Sequence, residues 1–138
     1  MATSRKPIPS RGIRNNNPLN IRIGNVWLGE VQENTDLEFE QFVSMEYGLR
    51  AAFILLRRYI NHYKLNTINK IIQRWAPSKE NDTSKYCLVV CKRTGIPGDQ
   101  IISFYDRDVM CSIVKAMAYV ECGVELDDAK LRKGYALA

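Results

Sequence analysis

The sequence predicts a mainly helical α+β domain with a small β-hairpin near its N-terminus. The chain has 138 residues, of which 46% are hydrophobic and 25% are charged, and these values are typical of one soluble globular domain. Apolar residues recur at helical spacing over most of the chain beyond residue 46, whereas an acidic and partly alternating stretch covers residues 27–42. The first pattern predicts four or five helices, and the second predicts the hairpin.

The residues before the acidic stretch divide into a tail and a turn. Residues 1–10 are predicted to be a disordered basic tail, because Pro7 and Pro9 break any period. Residues 11–138 are predicted to form a single domain. Three consecutive asparagines before Pro18 predict a hydrogen-bonded turn, since Asn side chains bond neighbouring backbone groups. Residues 20–23 then alternate as a short strand does, and residues 34–36 are predicted to form the hairpin tip.

The helices are predicted from apolar stripes and from the residues that cap them. The first long helix begins near Glu46, and its stripe comprises Leu49, Ala52, Phe53, Leu56, Ile60 and Tyr63. Predicted starts of the later helices are, in chain order, Thr67, residues 81–83, Asp106 or Asp108, and residues 127–128. Predicted ends are Pro77 after the short second helix, Gly95 after the third and Gly123 after the long fourth.

Charge lies in blocks along the chain, with a formal net charge of +5. Residues 1–27 carry five basic and no acidic side chains, residues 28–46 carry six acidic and no basic ones, and residues 47–75 carry six basic and no acidic ones. Such blocks are common on solvated faces, and they can also steer an anionic polymer, either nucleic acid or cell-wall glycan. Basic and aromatic residues do not interleave as in nucleic-acid-binding motifs, so no nucleic-acid partner is expected.

Targeting and membrane signals are not found in the sequence. No apolar run approaches the roughly 18 to 20 residues that a membrane span needs, so no membrane span is expected. The basic N-terminus lacks the apolar segment of a signal peptide. We therefore expect a protein that is cytoplasmic when made, and that reaches any cell-wall target by another route.

Metal and cofactor motifs are not found either. The four cysteines lie in apolar, helical stretches, and the single histidine is His62. Zinc ligation needs closer cysteine pairs with histidine support, so the cysteines are interpreted as buried thiols and no metal is expected. The sequence contains neither a phosphate-binding glycine motif nor G-x-S-x-G, so no cofactor is expected. Carboxylates remain as the candidate chemical groups.

Glu121 is distinguished among the carboxylates by its position. It lies at the end of the predicted fourth helix, four residues after Met117 and seven after Val114, and so on or beside the apolar stripe. Apolar neighbours and the negative end of a helix dipole both disfavour the anion and raise a carboxyl pKa. A general acid needs that environment. The structural alternative is an exposed glutamate beside the helix cap.

Two strings carry a specific resemblance. The chain contains N-N-N-P-L-N-I and W-A-P-S-K-E-N-D-T-S-K-Y, together with Y-G-L-R-A-A and a final A-Y-V-E-C-G. Over residues 11–138 it resembles a family of phage and prophage lysozyme-like proteins that are often labelled as virion structural proteins. The resemblance implies a lysozyme-like helical fold, peptidoglycan glycan strands as the substrate, and other virion proteins as possible partners.

A second similarity, to glucosaminidases and lytic transglycosylases, implies a circular permutation. Those domains begin with a helix that ends in a catalytic Glu, followed by an Asn-containing turn, a β-lobe and an aromatic helix. Here the turn, the acidic stretch and the helices occur in the same order, but the helix that ends in Glu-x-Gly comes last. Permutation is tolerated when the termini of a domain lie close together at its surface.

This resemblance assigns roles to individual residues. Glu121 becomes the general acid for cleavage of a β-1,4 bond between amino sugars. Tyr86, Asn17 and Asn20 are implied to line the cleft, and Trp27 is a candidate for stacking on sugar faces. A second carboxylate, a substrate acetamido group or the sugar's 6-hydroxyl would complete the reaction, and Glu30 is the preferred second carboxylate.

Two other interpretations remain open. Relatives commonly have His before and Asn after the catalytic Glu, where this chain has Val120 and Cys122. The domain could therefore be a catalytically inactive lysozyme-like virion or cell-wall-binding module. A basic nucleic-acid-binding protein is the third interpretation, and salt-sensitive binding to DNA would support it.

Overall fold

Six α-helices form about half of the chain that the structure describes. A computed structural model describes residues 9–79 and 82–138. A π-helical segment, Arg58–His62, continues the second helix. The mainly helical prediction is confirmed, and within the described ranges no helix is long and apolar enough to cross a membrane. The helices are α1 (Arg11–Arg14), α2 (Met45–Arg57), α3 (Ile68–Trp75), α4 (Thr83–Thr94), α5 (Arg107–Cys122) and α6 (Asp128–Leu137).

Side-chain caps begin four of the six described helices, near the predicted positions. An oxygen of each capping side chain accepts a backbone N–H from the first turn, which satisfies a donor that the helix cannot pair internally. Gly95 and Gly123 follow α4 and α5 in the left-handed conformation, with φ of 73° and 70°. The capping residues are Thr67, Asp82, Asp106 and Asp127.

Helices α2 and α6 approach closely because α6 carries a glycine at their contact. A Cβ added to Gly134 would lie 2.5 Å from the Cβ of Leu49. The next residue, Tyr135, packs edge-on against Phe53 at 5.4 Å and stacks on Phe104 at 5.3 Å between ring centroids. Its hydroxyl donates to the carbonyl of Phe104 over 3.0 Å. The C-terminal helix is therefore built into the core.

The segment between α1 and α2, residues 15–44, forms a compact N-terminal lobe. Its large apolar side chains are buried in the same hydrophobic cluster as those of the helices. The lobe and the helices consequently share one core. The buried apolar residues of the lobe are Leu19, Ile21, Trp27 and Phe42.

The predicted β-hairpin is wrong, since the described residues contain no strand. The lobe has only two isolated antiparallel bridges, Arg22 with Phe39 and Glu30 with Phe42. Side chains bind many of the backbone groups that a ladder would use. The buried Asn17 donates to the carbonyls of Ile21 and Glu40 and accepts the N–H of Ile21, over 2.9 to 3.0 Å. This competition from polar side chains prevents a regular ladder.

Asp36 organises the predicted hairpin tip in the same way. Its carboxylate accepts hydrogen bonds from Nε and Nη2 of Arg11, each over 2.6 Å, and from the side-chain amide of Asn15 over 3.0 Å. The backbone N–H groups of Glu38 and Phe39 donate to its Oδ1, over 2.9 and 3.0 Å. The hydrogen bond from the Arg11 guanidinium is the largest of the effects that hold the pKa of Asp36 well below its usual range. The acidic lobe is thus tied to the basic α1.

The predicted basic tail lies mostly outside the described residues, which begin at Pro9. Pro9 accepts a hydrogen bond from Nη1 of Arg14 over 2.6 Å. Ser10 is the residue that precedes α1. These two residues therefore belong to the start of the fold.

Candidate active site

Glu121 lies in the last turn of α5, one residue before the helix ends. The left-handed Gly123 ends the helix immediately beyond it, so the Glu121 side chain stands where the chain turns away. The glutamate is half-buried. This position leaves the carboxyl partly exposed.

Two residues from distant parts of the sequence hold the Glu121 carboxyl. The amide of Asn20 donates to Oε1 over 3.1 Å, and the hydroxyl of Tyr86 donates to Oε2 over 2.9 Å. Asn20 adopts φ of 52°, a conformation that Asn tolerates better than most residues. Tyr86 lies in the first turns of α4 and is buried. The structure therefore brings together Glu121, Tyr86 and Asn20.

Burial raises the pKa of Glu121 above its ordinary value. Hydrogen bonds from Asn20, Tyr86 and Trp75 favour the anion and oppose this rise without cancelling it. Burial, and after it the Glu121 carboxylate, raise the pKa of the Tyr86 phenol, so that this hydroxyl remains a donor. The carboxyl is thus positioned and biased toward the protonated form.

An open cleft of about 410 Å³ lies in front of Glu121. The lobe forms one wall with Arg22, Asn25 and Phe39, and Asn20 lies at the base beside Glu121. The opposite wall comes from α2, α3 and the residues after α3. Its members are Leu55, Tyr59, Trp75, Ala76 and Pro77. The cleft is therefore aromatic and polar, with a carboxyl at its base.

Close packing between α1 and the end of α5 fixes the distance between the Asn20 turn and Glu121. A Cβ on Gly12 would overlap Sγ of Cys122 and would lie 2.7 Å from Oδ1 of Asn20. The Cys122 thiol donates to the carbonyl of Pro18 over 3.2 Å. Cys122 therefore serves as a structural contact under the site.

Comparison with known proteins gives one relevant relative. No protein-family model matches the chain. Over 118 residues the chain is 41% identical to protein P5 of Pseudoalteromonas phage PM2, and the match covers 83% of this chain and 72% of that protein. The chain belongs to the protein P5 family. The predicted relationship to phage proteins is confirmed at that level.

Besides Tyr86, two further predicted substrate contacts, Asn17 and Trp27, are buried in this protein P5 family member. Asn17 is 0% exposed, and its side chain is fully engaged with the lobe backbone. Trp27 is 8% exposed and belongs to the core. Asn17 buttresses the turn that presents Asn20, and Trp27 anchors the lobe. Neither residue offers a surface to a substrate, whereas Trp75 lines the cleft.

Glu30, the preferred second carboxylate, is paired with Glu40 in the lobe. Glu40 is 4% exposed, and one oxygen of each carboxyl, Oε1 of Glu30 and Oε2 of Glu40, is buried without a hydrogen-bond partner. Burial, and after it the neighbouring carboxyl of Glu30, raise the pKa of Glu40 to about 7. The residues that line the cleft include Glu121 as their carboxylate and do not include Glu30 or Glu40.

The sequence reasoning missed several residues at the cleft. Tyr59 follows Leu55 by four positions, so both lie on one helix face beside the core stripe. That spacing was a usable signal. Arg22 and Phe39 carried no comparable signal, because their placement depends on the irregular lobe. Within residues 9–79 and 82–138 there is no cluster of three or more His, Cys, Asp or Glu that could hold a metal.

Proposed function

We propose that this protein P5 family member cleaves β-1,4 linkages between the amino sugars of peptidoglycan, with Glu121 as the general acid. The observation that carries the proposal is the Glu121 carboxyl itself. It is half-buried at the base of an open cleft, it is held by Asn20 and Tyr86, and its pKa is raised. A proton donor for a leaving glycosidic oxygen needs these properties.

The proposal includes a circularly permuted lysozyme-like fold. The helix that ends in the acid, α5, follows the lobe and the aromatic helix in sequence, yet its end packs directly against α1 and the Asn20 turn. These contacts support the idea that α5 fills the place of the first helix in the related domains. The similarity to lysozyme-like proteins in the two sequence motifs supports the same idea.

The cleft favours a mechanism with one protein carboxyl. Among the described residues Glu121 is the carboxylate that lines it, while Glu30 lies beside Glu40. In the proposed reaction the Glu121 proton moves to the glycosidic oxygen as the C1–O bond breaks. The sugar's 6-hydroxyl then bonds to C1, and its proton returns to the Glu121 carboxylate. The product is an anhydro sugar, as in a lytic transglycosylase, and the acid is regenerated without a second carboxylate.

The walls of the cleft suit a sugar polymer. The Trp75 and Tyr59 rings lie edge-on at 5.9 Å between centroids, and both line the cleft. Aromatic faces pack well against the apolar faces of sugar rings. Arg22 on the opposite wall supplies a donor for substrate oxygens or carboxylates. Association with the virion or release to the cell wall would bring such a protein to its substrate, with other virion proteins as partners.

The inactive binding module remains the second candidate. The residues on either side of Glu121 are Val120 and Cys122, and the Cys122 thiol is committed to Pro18. Among the residues that the structure describes, the polar support of the acid therefore comes from Asn20, Tyr86 and Trp75. A domain with this arrangement could bind glycan without cleaving it.

Zymography on purified cell walls tests the proposal. We expect the wild type to clear the walls and Glu121→Gln to reduce the rate by about 10²-fold to 10⁴-fold, since the amide cannot donate the proton. Glu33→Gln, an exposed change on the lobe, serves as the matched control and should retain activity. Equal clearing by Glu121→Gln would remove Glu121 from its role. Wall binding without clearing by the wild type would favour the binding module.

A further inference from the structure

Glu121 lies between two recesses. Besides the cleft of about 410 Å³, a second recess of about 440 Å³ adjoins the carboxyl from the other side. The second recess is formed by the first turns of α4 and the last turn of α5, and Glu121 lines both. A ligand that contacts Glu121 is therefore within reach of both recesses.

The hydrogen bonds of Glu121 follow the same division. Oε1 accepts from Asn20, which lines the cleft, and Oε2 accepts from Tyr86, which lines the second recess. Each oxygen is thus positioned by a residue from a different side. A bond that is cut at this carboxyl would have one sugar in each direction.

The second recess has its own binding chemistry. Lys85 is exposed there, and Tyr119 is an exposed aromatic residue at 40%. The guanidinium of Arg93 lies 3.5 Å from the centroid of the Tyr119 ring and fixes one face of it. Asp82, the acidic member, is already used, because Oδ1 accepts the backbone N–H of Lys85 over 3.1 Å and caps α4. The Lys85 ammonium is therefore available to bind an anion.

We propose that the second recess binds the sugars on the far side of the scissile bond, with Tyr119 as a packing surface and Lys85 as the contact to a sugar that carries a carboxylate. This inference rests on the proposed function, because it assumes that a glycan strand passes Glu121. Beyond that function, the glycan strand occupies both recesses, and the enzyme cuts bonds between sugars inside the strand. The inference also identifies the substrate as an acidic amino-sugar polymer in preference to a neutral one.

The test compares two tetrasaccharides of amino sugars, one with lactyl carboxylates on alternate sugars and one neutral. Binding is measured by calorimetry on full-length Glu121→Gln, or on the wild type if it leaves the strands uncut. We expect the acidic strand to bind about twofold to fivefold more tightly, as for one exposed ion pair. We expect Lys85→Met to abolish this preference and Tyr119→Ala to weaken both strands. Lys92→Met, an exposed change on the same helix, should leave the preference intact.

Three results would overturn the inference. The first is that Lys85→Met still prefers the acidic strand. The second is that an acidic disaccharide binds as tightly as the acidic tetrasaccharide. The third is that neither tetrasaccharide binds. If Glu121→Gln does not fold and the wild type cleaves, the ratio of KM for the two strands replaces the ratio of Kd. Failure of the proposed function is distinguished by the zymogram. A protein that keeps the Lys85-dependent preference without clearing cell walls would retain this inference and lose the catalytic one.

Discussion

At the scale of single residues, the pKa of Glu121 is set by opposing effects. Burial is the largest and favours the neutral acid, whereas hydrogen bonds from Asn20, Tyr86 and Trp75 favour the anion. The effect of burial on the pKa is larger than that of the hydrogen bonds, so the carboxyl holds its proton to a higher pH than an exposed glutamate does. Activity that depends on this proton should fall as the pH rises through the folded-state pKa.

Tyr86→Phe should move that alkaline limb to higher pH. The phenol hydroxyl stabilises the Glu121 anion through Oε2, and its removal should raise the Glu121 pKa further. We expect a lower maximal rate, because the acid loses one positioning contact, together with an upward shift of the limb. The measurement is the pH profile of kcat/KM on solubilised glycan strands. Tyr105→Phe, at an exposed tyrosine that lines neither recess at Glu121, should not shift it, and a downward shift with Tyr86→Phe would contradict this account.

At the scale of elements, the sequence predicted the helices well and the lobe poorly. Helix starts depend on local contacts, such as Thr67 with the N–H of Lys70 and Asp106 with that of Val109. Each of these contacts joins residues within four positions of each other, so a local sequence pattern can predict it. The lobe depends on contacts between residues 21 to 26 positions apart, such as Arg11, Asn15 and Gln41 with their partners. A hairpin pattern cannot reveal such side-chain competition for the backbone.

The Glu30 and Glu40 pair makes the stability of the lobe depend on pH. The pKa of Glu40 is raised from 4.5 to about 7 in the folded protein. Its stabilising contribution is therefore present below about pH 4.5 and is lost as the pH rises through about 7, because the folded state must then hold a buried carboxylate. A variant with a neutral side chain at position 40 avoids this loss of stability at pH 8.

Glu40→Gln should accordingly raise the free energy of unfolding at pH 8 by about 1 to 3 kcal/mol, the cost of a buried unsatisfied group. The melting temperature should increase by a few degrees. At pH 4.5 the two proteins should melt within about 1 °C of each other. The measurement is thermal unfolding followed by circular dichroism at both pH values. Glu33→Gln has the same change of charge at an exposed site, and an equal gain in that control would contradict the assignment.

At the scale of the whole molecule, the candidate site is assembled from three distant segments. Asn20 and Glu121 are 101 residues apart, and Tyr86 is 35 residues from Glu121. Helix-end position and apolar periodicity distinguished Glu121 from the other carboxylates in the sequence, and the family resemblance assigned it the role of the acid. Asn20 and Tyr86 came from the family resemblance, because long-range proximity leaves no trace in local periodicity. Lys85 and Tyr119 lie near them but were not selected, since exposed Lys and Tyr are common on helices.

The shared core predicts that the lobe and helices unfold together. The two tryptophans report on both parts, since Trp27 is buried in the lobe and Trp75 lines the cleft from α3. Gly134→Ala should lower the free energy of unfolding by about 1 to 2 kcal/mol, because a Cβ would press on the fully buried Leu49 at the contact of α2 and α6. Better helix propensity offsets less than about 1 kcal/mol of this loss.

Urea unfolding followed by tryptophan fluorescence and by far-ultraviolet circular dichroism measures the effect. The two probes should give coincident transitions in both the wild type and Gly134→Ala, with only the midpoint moved. Gly24→Ala is the control, because nothing lies within 4 Å of an added Cβ there. Separate transitions for the two probes would mean that the lobe folds independently. A glutamate on α5 could then not be held rigidly against Asn20 of the lobe, and the geometry on which the proposed acid depends would fail with it.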